Sequence, residues 1–251
     1  MASPGELIKR IAEVLCLPEV KVASYYRYLR QAGLVSKGGR GLNAARMTPK
    51  DSASVLIACG GSRIERDNAV DSVEAYSQLQ AAHSAYVHYR SIGESAVQEA
   101  PQGWAANHAG TWTFEGFSLP HLQALPERHD FLAALEALIE ASLNHEYSGS
   151  VSKTDWKLRY HTIDVFFYGP KPSAKISIGL AGYRDGGQSF KWEKEATYLF
   201  SEQIEDNTTP TEKTKAANQA ILVKYAAGDL SICRNFTQET IHRIADILRN
   251  K

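Results

Sequence analysis

No stretch of about 18 consecutive apolar residues occurs in the 251-residue chain, so nothing in it reads as a membrane-spanning helix. The first 18 residues mix Glu6, Lys9, Arg10 and Glu13 into their apolar positions. A secretory signal does not look like this, and a cytoplasmic protein is expected. Cysteine is scarce: Cys16, Cys59 and Cys233 are odd in number, far apart and without a C-x-x-C pair. That argues against a disulfide framework and against a zinc finger, and leaves three reduced, buried thiols as the expectation. The sequence also lacks G-x-S-x-G, G-x-x-x-x-G-K-[ST] and G-x-G-x-x-G, the signatures of a hydrolase elbow, a phosphate loop and a dinucleotide fold. It shows no internal repeat and no low-complexity segment.

The most informative absence is local. Between Val20 and Pro49 there is no aspartate or glutamate. Lys and Arg balance Asp and Glu at 28 each over the chain, yet residues 1–64 hold ten cations and four carboxylates, a net +6 that leaves −6 for the remainder. A basic segment joined to an acidic body suits a phosphate-binding module with a separate partner or sensor domain, and a merely solvated basic face is the alternative. With 43% hydrophobic residues the chain can bury a sizeable core, as one large domain or two smaller ones.

Leu7, Ile8, Ile11, Val14 and Leu15 recur at helical spacing and predict a helix over 4–16, ending before Leu17-Pro18. Pro18 can open a second helix, whose Val22, Tyr26, Leu29 and Gly33 share a stripe, with Gly33 as its stop. Leu34-Val35 and Ala44 to Met47 read as two extended limbs around the turn Gly38-Gly39-Arg40-Gly41. A third helix starts at a Thr48 cap, with Pro49 in its first turn and Asp51 beside it, and carries Ala53, Val55, Leu56 and Ile57. Residues 66–89 read as a helix with Val70, Val73, Tyr76 and Leu79 on one side, and 93–128 as loop-rich.

Residues 129–143 form an amphipathic pattern with Phe131, Leu132, Leu135, Leu138, Ile139 and Leu143 inward. Beyond Gly149 the period changes to two. "YHTIDVFFYGP", "AKISIGLAG" and "EATYLFS", separated by Gly169-Pro170 and Gly186-Gly187, predict an antiparallel meander to which "AILVKYA" could add a strand. Thr237 caps a last helix carrying Ile241, Ile244, Ala245 and Leu248. The expected class is α+β in three parts: a basic, helical segment at 1–64, a helical, loop-rich connection at 65–148, and an α/β oligomerisation or interaction domain at 149–251.

The order helix, short turn, helix ending in "AGLV", basic glycine loop and further helix resembles the winged helix-turn-helix superfamily of DNA-binding domains. The likeness covers residues 4–60. "YRYLRQAGLV" looks like the end of a recognition helix, and "SKGGRGLNAARMT" like the wing. Many such domains carry another helix before the turn, whereas about three residues precede the first helix here. Either 51–57 complete the set or the module is pared down.

Glycines 38, 39 and 41 can turn a wing because they reach positive φ without steric cost. Lys37, Arg40 and Arg46, with Asn43, can meet a phosphate backbone or minor groove. On the preceding helix Lys21, Ser24, Arg27, Tyr28 and Gln31 lie opposite the apolar stripe and can all hydrogen-bond to phosphates or base edges. Tyr25 and Tyr26 read as packing residues. The resulting expectation is a non-enzymatic, sequence-specific regulator, bacterial or phage-like, that binds double-stranded DNA as a homodimer without a metal or cofactor. Whether a small-molecule effector binds is left open. A phage packaging or replication accessory factor, or an interaction module whose basic wing docks an acidic partner, are alternatives.

A metal-dependent nuclease using Asp164, Glu193, Lys194 and Glu195 is a third possibility, on generic spacing. His83 with His88 and His121 with His129 are not three or four apart on a helix, as helical metal ligation would need, and His161 falls in a strand. The acidic part, with Trp104, Trp112, Trp156, Trp192 and the 129–143 helix, could dimerise, bind an effector or contact proteins.

Overall fold

The computed structural model describes residues 2–38, 45–62, 69–88, 119–126, 129–147, 159–169, 172–184, 189–201 and 232–249. Two helices open the chain, α1 (Pro4–Val14) and α2 (Glu19–Ala32). The first begins in a capping box in which Ser3 Oγ accepts from the Glu6 backbone N–H while the Glu6 carboxylate accepts from Ser3, satisfying donors that a helix start leaves orphaned. It ends earlier than the expected residue 16. Cys16 N–H donates to the Glu13 carbonyl and Leu17 N–H to the Ala12 carbonyl, the paired bonds of a Schellman stop. Cys16 takes the left-handed position at φ 52, which turns its side chain outward. It is therefore exposed, against the expectation of a buried thiol, whereas Cys59 is buried and burial pushes its thiol up to about 12. The side chain of Cys233 lies outside the described residues.

Gly33 ends α2 as expected, at φ 82 with Leu34 N–H on the Leu29 carbonyl. Helix α3 (Pro49–Gly61) follows, starting at the Thr48 cap. Every residue from Asp51 to Cys59 is buried, so this helix has no wet face. It packs against α2, against α4 (Ala69–Ser77), against α6 (Phe131–Leu143) and against α7 (Gln238–Arg249), and touches the sheet at β2 (Arg159–Gly169) and β5 (Ile232–Thr237). A short helix α5 (Pro120–Gln123) leans on α6, and α1 packs on both α2 and α7.

The sheet has five strands in the order β1-β4-β3-β2-β5, every pair antiparallel, with β1 at Gln80–His88, β3 at Ser173–Arg184 and β4 at Ser189–Ser201. The chain is thus α+β, as the change of period predicts. Alternation puts Ile163, Val165, Phe167, Ala174, Ile176, Ile178, Phe200 and Phe236 under the helices, and Phe131 of α6 sets its ring edge-on to Phe167 and Phe200 at 5.4 and 5.2 Å. On the other face Phe166 stacks with Tyr168 at 6.2 Å, and Lys175 Nζ lies 4.0 Å from the Phe166 centroid.

Three expectations change. Residues 66–89 are not one helix: α4 stops at Ser77, and Gln80–His88 is a strand on the sheet edge, paired with β4. Strand β5, "ICRNFT", is an addition beside β2. The helix expected over 129–143 begins at Phe131, after an Asp130 cap, and packs its apolar face against α3, α7 and the sheet. The "AILVKYA" segment, the Gly186-Gly187 turn, Trp104, Trp112, Trp156 and the Trp192 side chain lie outside the described residues.

The charge boundary near residue 64 is not a packing boundary. One contiguous cluster of buried side chains runs from Ala2 through α3 to Leu248, and the seams around α3 are close. A Cβ on Gly60 would stand 2.6 Å from Phe167 Cε2, and one on Gly61 2.8 Å from Tyr76 Cδ2. Phe167 cannot swing away, because Tyr76, Phe131 and Phe236 surround its ring at 5.4 to 5.8 Å. Gly60→Ala gains up to about 1 kcal/mol of helix propensity but overpacks this seam at a cost of about 1–3 kcal/mol. A lower urea midpoint with an unchanged slope is expected; a raised midpoint would show that the ring yields.

Candidate nucleic-acid interface

At 100° per residue, the buried residues Val22, Tyr25, Tyr26 and Leu29 occupy one side of α2 and Val20, Ser24, Arg27 and Gln31 a line on the other, with Lys21 and Tyr28 flanking it. The structure therefore brings the five helix positions singled out from sequence onto one outward surface. Arg27, Tyr28 and Gln31 are exposed, and Lys21 and Ser24 are half-buried. Arg27 lies over the Tyr28 ring at 5.1 Å and its Nη2 donates to Tyr28 Oη at 3.4 Å. Such a contact stiffens a long side chain while its other N–H groups stay available. Lys21 Nζ sits 5.7 Å from the Tyr25 centroid, and Ser24 Oγ donates back to the Val20 carbonyl at 2.9 Å, keeping its lone pairs free to accept.

Tyr25 and Tyr26 are 9% and 7% exposed, so they pack, as expected, and do not stack on bases. Burial raises the Tyr26 hydroxyl above its ordinary range.

The glycine loop is fastened at its base. Arg30 Nη2 donates to the Gly38 carbonyl at 2.7 Å, and a Cβ on Gly38 would fall 2.1 Å from the Ala45 backbone nitrogen, so the two limbs touch where only glycine fits. Met47 N–H donates to the Ala2 carbonyl at 3.0 Å. The buried Asp51 joins both limbs: it accepts from Ser36 N–H at 2.7 Å and from Thr48 N–H and Oγ1 at 2.9 Å each. The described limbs run as irregular chain, not as the ladder two wing strands would form. Lys37 and Arg46 are exposed. Lys37 Nζ lies 3.6 Å from the Cβ position of Gly33, beside the carbonyl end of α2 where a cation is favoured, so it is partly a helix-end residue. Arg40 and Asn43 lie outside the described residues.

Sequence reasoning passed over three residues here. Arg30 joins α2 to the loop, and Asp51, expected beside the Thr48 cap, also ties Ser36 to the start of α3. Val20, 79% exposed on the outward line, could have been found by extending the polar stripe one turn toward the helix start.

Other constellations are less suited to chemistry. Asp164 pairs with Ser177, whereas Glu195 pairs with Gly179 two rows away on a strand beyond, about 12 Å between Cα atoms at ordinary sheet spacings. Among the described residues no three His, Cys, Asp or Glu side chains converge on a metal site. Ser142 Oγ is 2.8 Å from His242 Nδ1, but Ser142 is 4% exposed, so the pair fastens α6 to α7. Burial holds His242 and His129 below the ordinary histidine range. His121 is hydrogen-bonded to Glu146, and His161 lies in β2 against the Tyr147 ring. Among the described residues no helix is long and apolar enough to cross a membrane. Comparison with protein-family models, with curated proteins and with solved structures finds no significant match.

Proposed function

We propose that this chain is a non-enzymatic DNA-binding regulator that lays α2 in the major groove and its glycine loop along the flanking backbone, in the manner of the winged helix-turn-helix domains its first 60 residues resemble. The observation that carries the reading is the outward surface of α2. Ser24, Arg27 and Gln31 stand in line there, with Lys21 and Tyr28 beside them, and the sequence that follows carries Lys37, Arg40, Asn43 and Arg46, in a stretch from Val20 to Pro49 with no acid. Arg and Gln offer paired donors and acceptors to base edges, and the loop cations reach phosphates. Half-sites about one helical turn apart would follow if the protein acts as a homodimer in the cytoplasm.

The test is duplex binding by full-length protein across a salt series. Arg46→Ala is expected to weaken all duplexes about equally and to reduce the magnitude of the log-affinity against log-salt slope by about 0.9. Arg27→Ala is expected to cost about 1–3 kcal/mol on a preferred duplex and to relax discrimination at one or two positions. If both variants fold and leave affinity and slope unchanged, the basic surface is only solvated and the reading fails. Binding to an acidic protein, with none to DNA, would favour the interaction module instead.

A further inference from the structure

Val20 is 79% exposed, the largest exposure of any bulky apolar side chain among the described residues, while every other large apolar residue of α2 except Tyr28 is buried. A single exposed valine on a wet helix needs no explanation. Its place does. Val20 stands in the first turn, in line with Ser24, Arg27 and Gln31, so an elongated partner laid along that line also meets this isopropyl group. Past Glu19, the stretch from Val20 to Pro49 holds cations and no acid, which selects a polyanion, and in the major groove of duplex DNA the apolar feature is the thymine C5 methyl. Beside Val20 in the first turn stand the exposed Glu19 and the half-buried Lys21, and Arg27 lies two turns on along the same line.

We infer that Val20 is a specificity-determining residue that packs on a thymine methyl when α2 lies in the major groove. The inference rests on the DNA-binding reading and adds a base to it. Seven residues of helix separate Val20 from Arg27, about 10 Å of rise, so the thymine lies about three base pairs from the base that Arg27 reads. The step is contact only, with no bond made or broken. Val20→Ala removes the contact without touching the core, because the side chain packs on nothing that holds the fold; Val20→Thr keeps one methyl.

Full-length protein selects from a random duplex library, and the enriched duplex is resynthesised with deoxyuridine replacing one thymidine at a time. One replacement is expected to weaken the wild type about fourfold, the ~0.8 kcal/mol of one buried methyl group, and to leave Val20→Ala unaffected, with Val20→Thr in between. The sensitive position should lie about three pairs from the one relaxed in Arg27→Ala. If uridine is tolerated throughout, or its effect persists in a folded Val20→Ala, the assignment is overturned while DNA binding stands. Salt-dependent duplex binding without an enriched sequence also overturns it, and absence of duplex binding overturns both readings.

Discussion

A fragment of residues 1–64 is expected to be largely unfolded, although it contains α1, α2 and α3 complete. Nine consecutive residues of α3 are buried, which at 100° per residue covers the whole circumference. Two neighbouring helices cannot cover that; α4, α6, α7 and the sheet supply the rest. Cutting after residue 64 returns part of Val55, Leu56 and Ile57 to water, at about 1.5–3 kcal/mol per side chain. A core of this length contributes only about 3–5 kcal/mol in all. Far-UV circular dichroism should show little helix and no cooperative melting, whereas the full chain melts cooperatively. A sharp transition in the fragment, with dispersed amide resonances, would show that the basic segment closes a core of its own. The full chain is therefore the reagent for every DNA measurement above.

Asp51→Ala is the point substitution with the largest expected effect. One carboxylate, 3% exposed, accepts from Ser36 N–H, Thr48 N–H and Thr48 Oγ1. Alanine orphans two backbone donors and removes the capping box at the start of α3. Hydrogen bonds to a charged group contribute about 1.5–3 kcal/mol each, and an unsatisfied buried donor adds its own penalty. We expect a loss of at least ~3 kcal/mol, a melting temperature lower by about 6–12 °C for a chain this size. Asp51→Asn keeps one carbonyl acceptor and should lose about half as much. Equal melting of Asp51→Ala and wild type would mean that water or a neighbour replaces the carboxylate without loss.

Much of this architecture is legible in the sequence where one signal dominates. Gly33 stops α2 and Thr48 starts α3 because turn and cap chemistry is local. The central strands are legible because Ile163, Val165 and Phe167 alternate strongly. Strand β1 is not, because the helical spacing of Val70, Val73 and Tyr76 runs into it with no glycine or proline between, and Ala81, Ala82 and Ala85 carry little strand preference. Strand β5 hides for another reason. Its Arg234 faces the helices, where Nη1 donates to the Cys59 carbonyl at 3.3 Å and also bonds the Ser62 carbonyl, and a cation on the inner face breaks the alternation. Burial of α3 on all sides is masked by Ser52, Ser54, Gly60 and Gly61, small residues that read as solvated and are needed for close approach. On the candidate interface the polar stripe of α2 was legible. Val20 was not, since an apolar residue is read inward by default.

The fastening of the first helices by the last ones sets an order of events during synthesis. Helix α1 packs on α7, and the carboxyl end of α3 is held by Arg234. More than 200 residues separate the end of α1 from the start of α7, so at ordinary elongation rates α1 waits on the order of 10–40 s for its partner to be made. Throughout that interval Leu7, Ile11, Val55, Leu56 and Ile57 lack part of their cover. The nascent chain thus presents a basic, apolar N-terminal segment whose cover is completed only once α7 has been made.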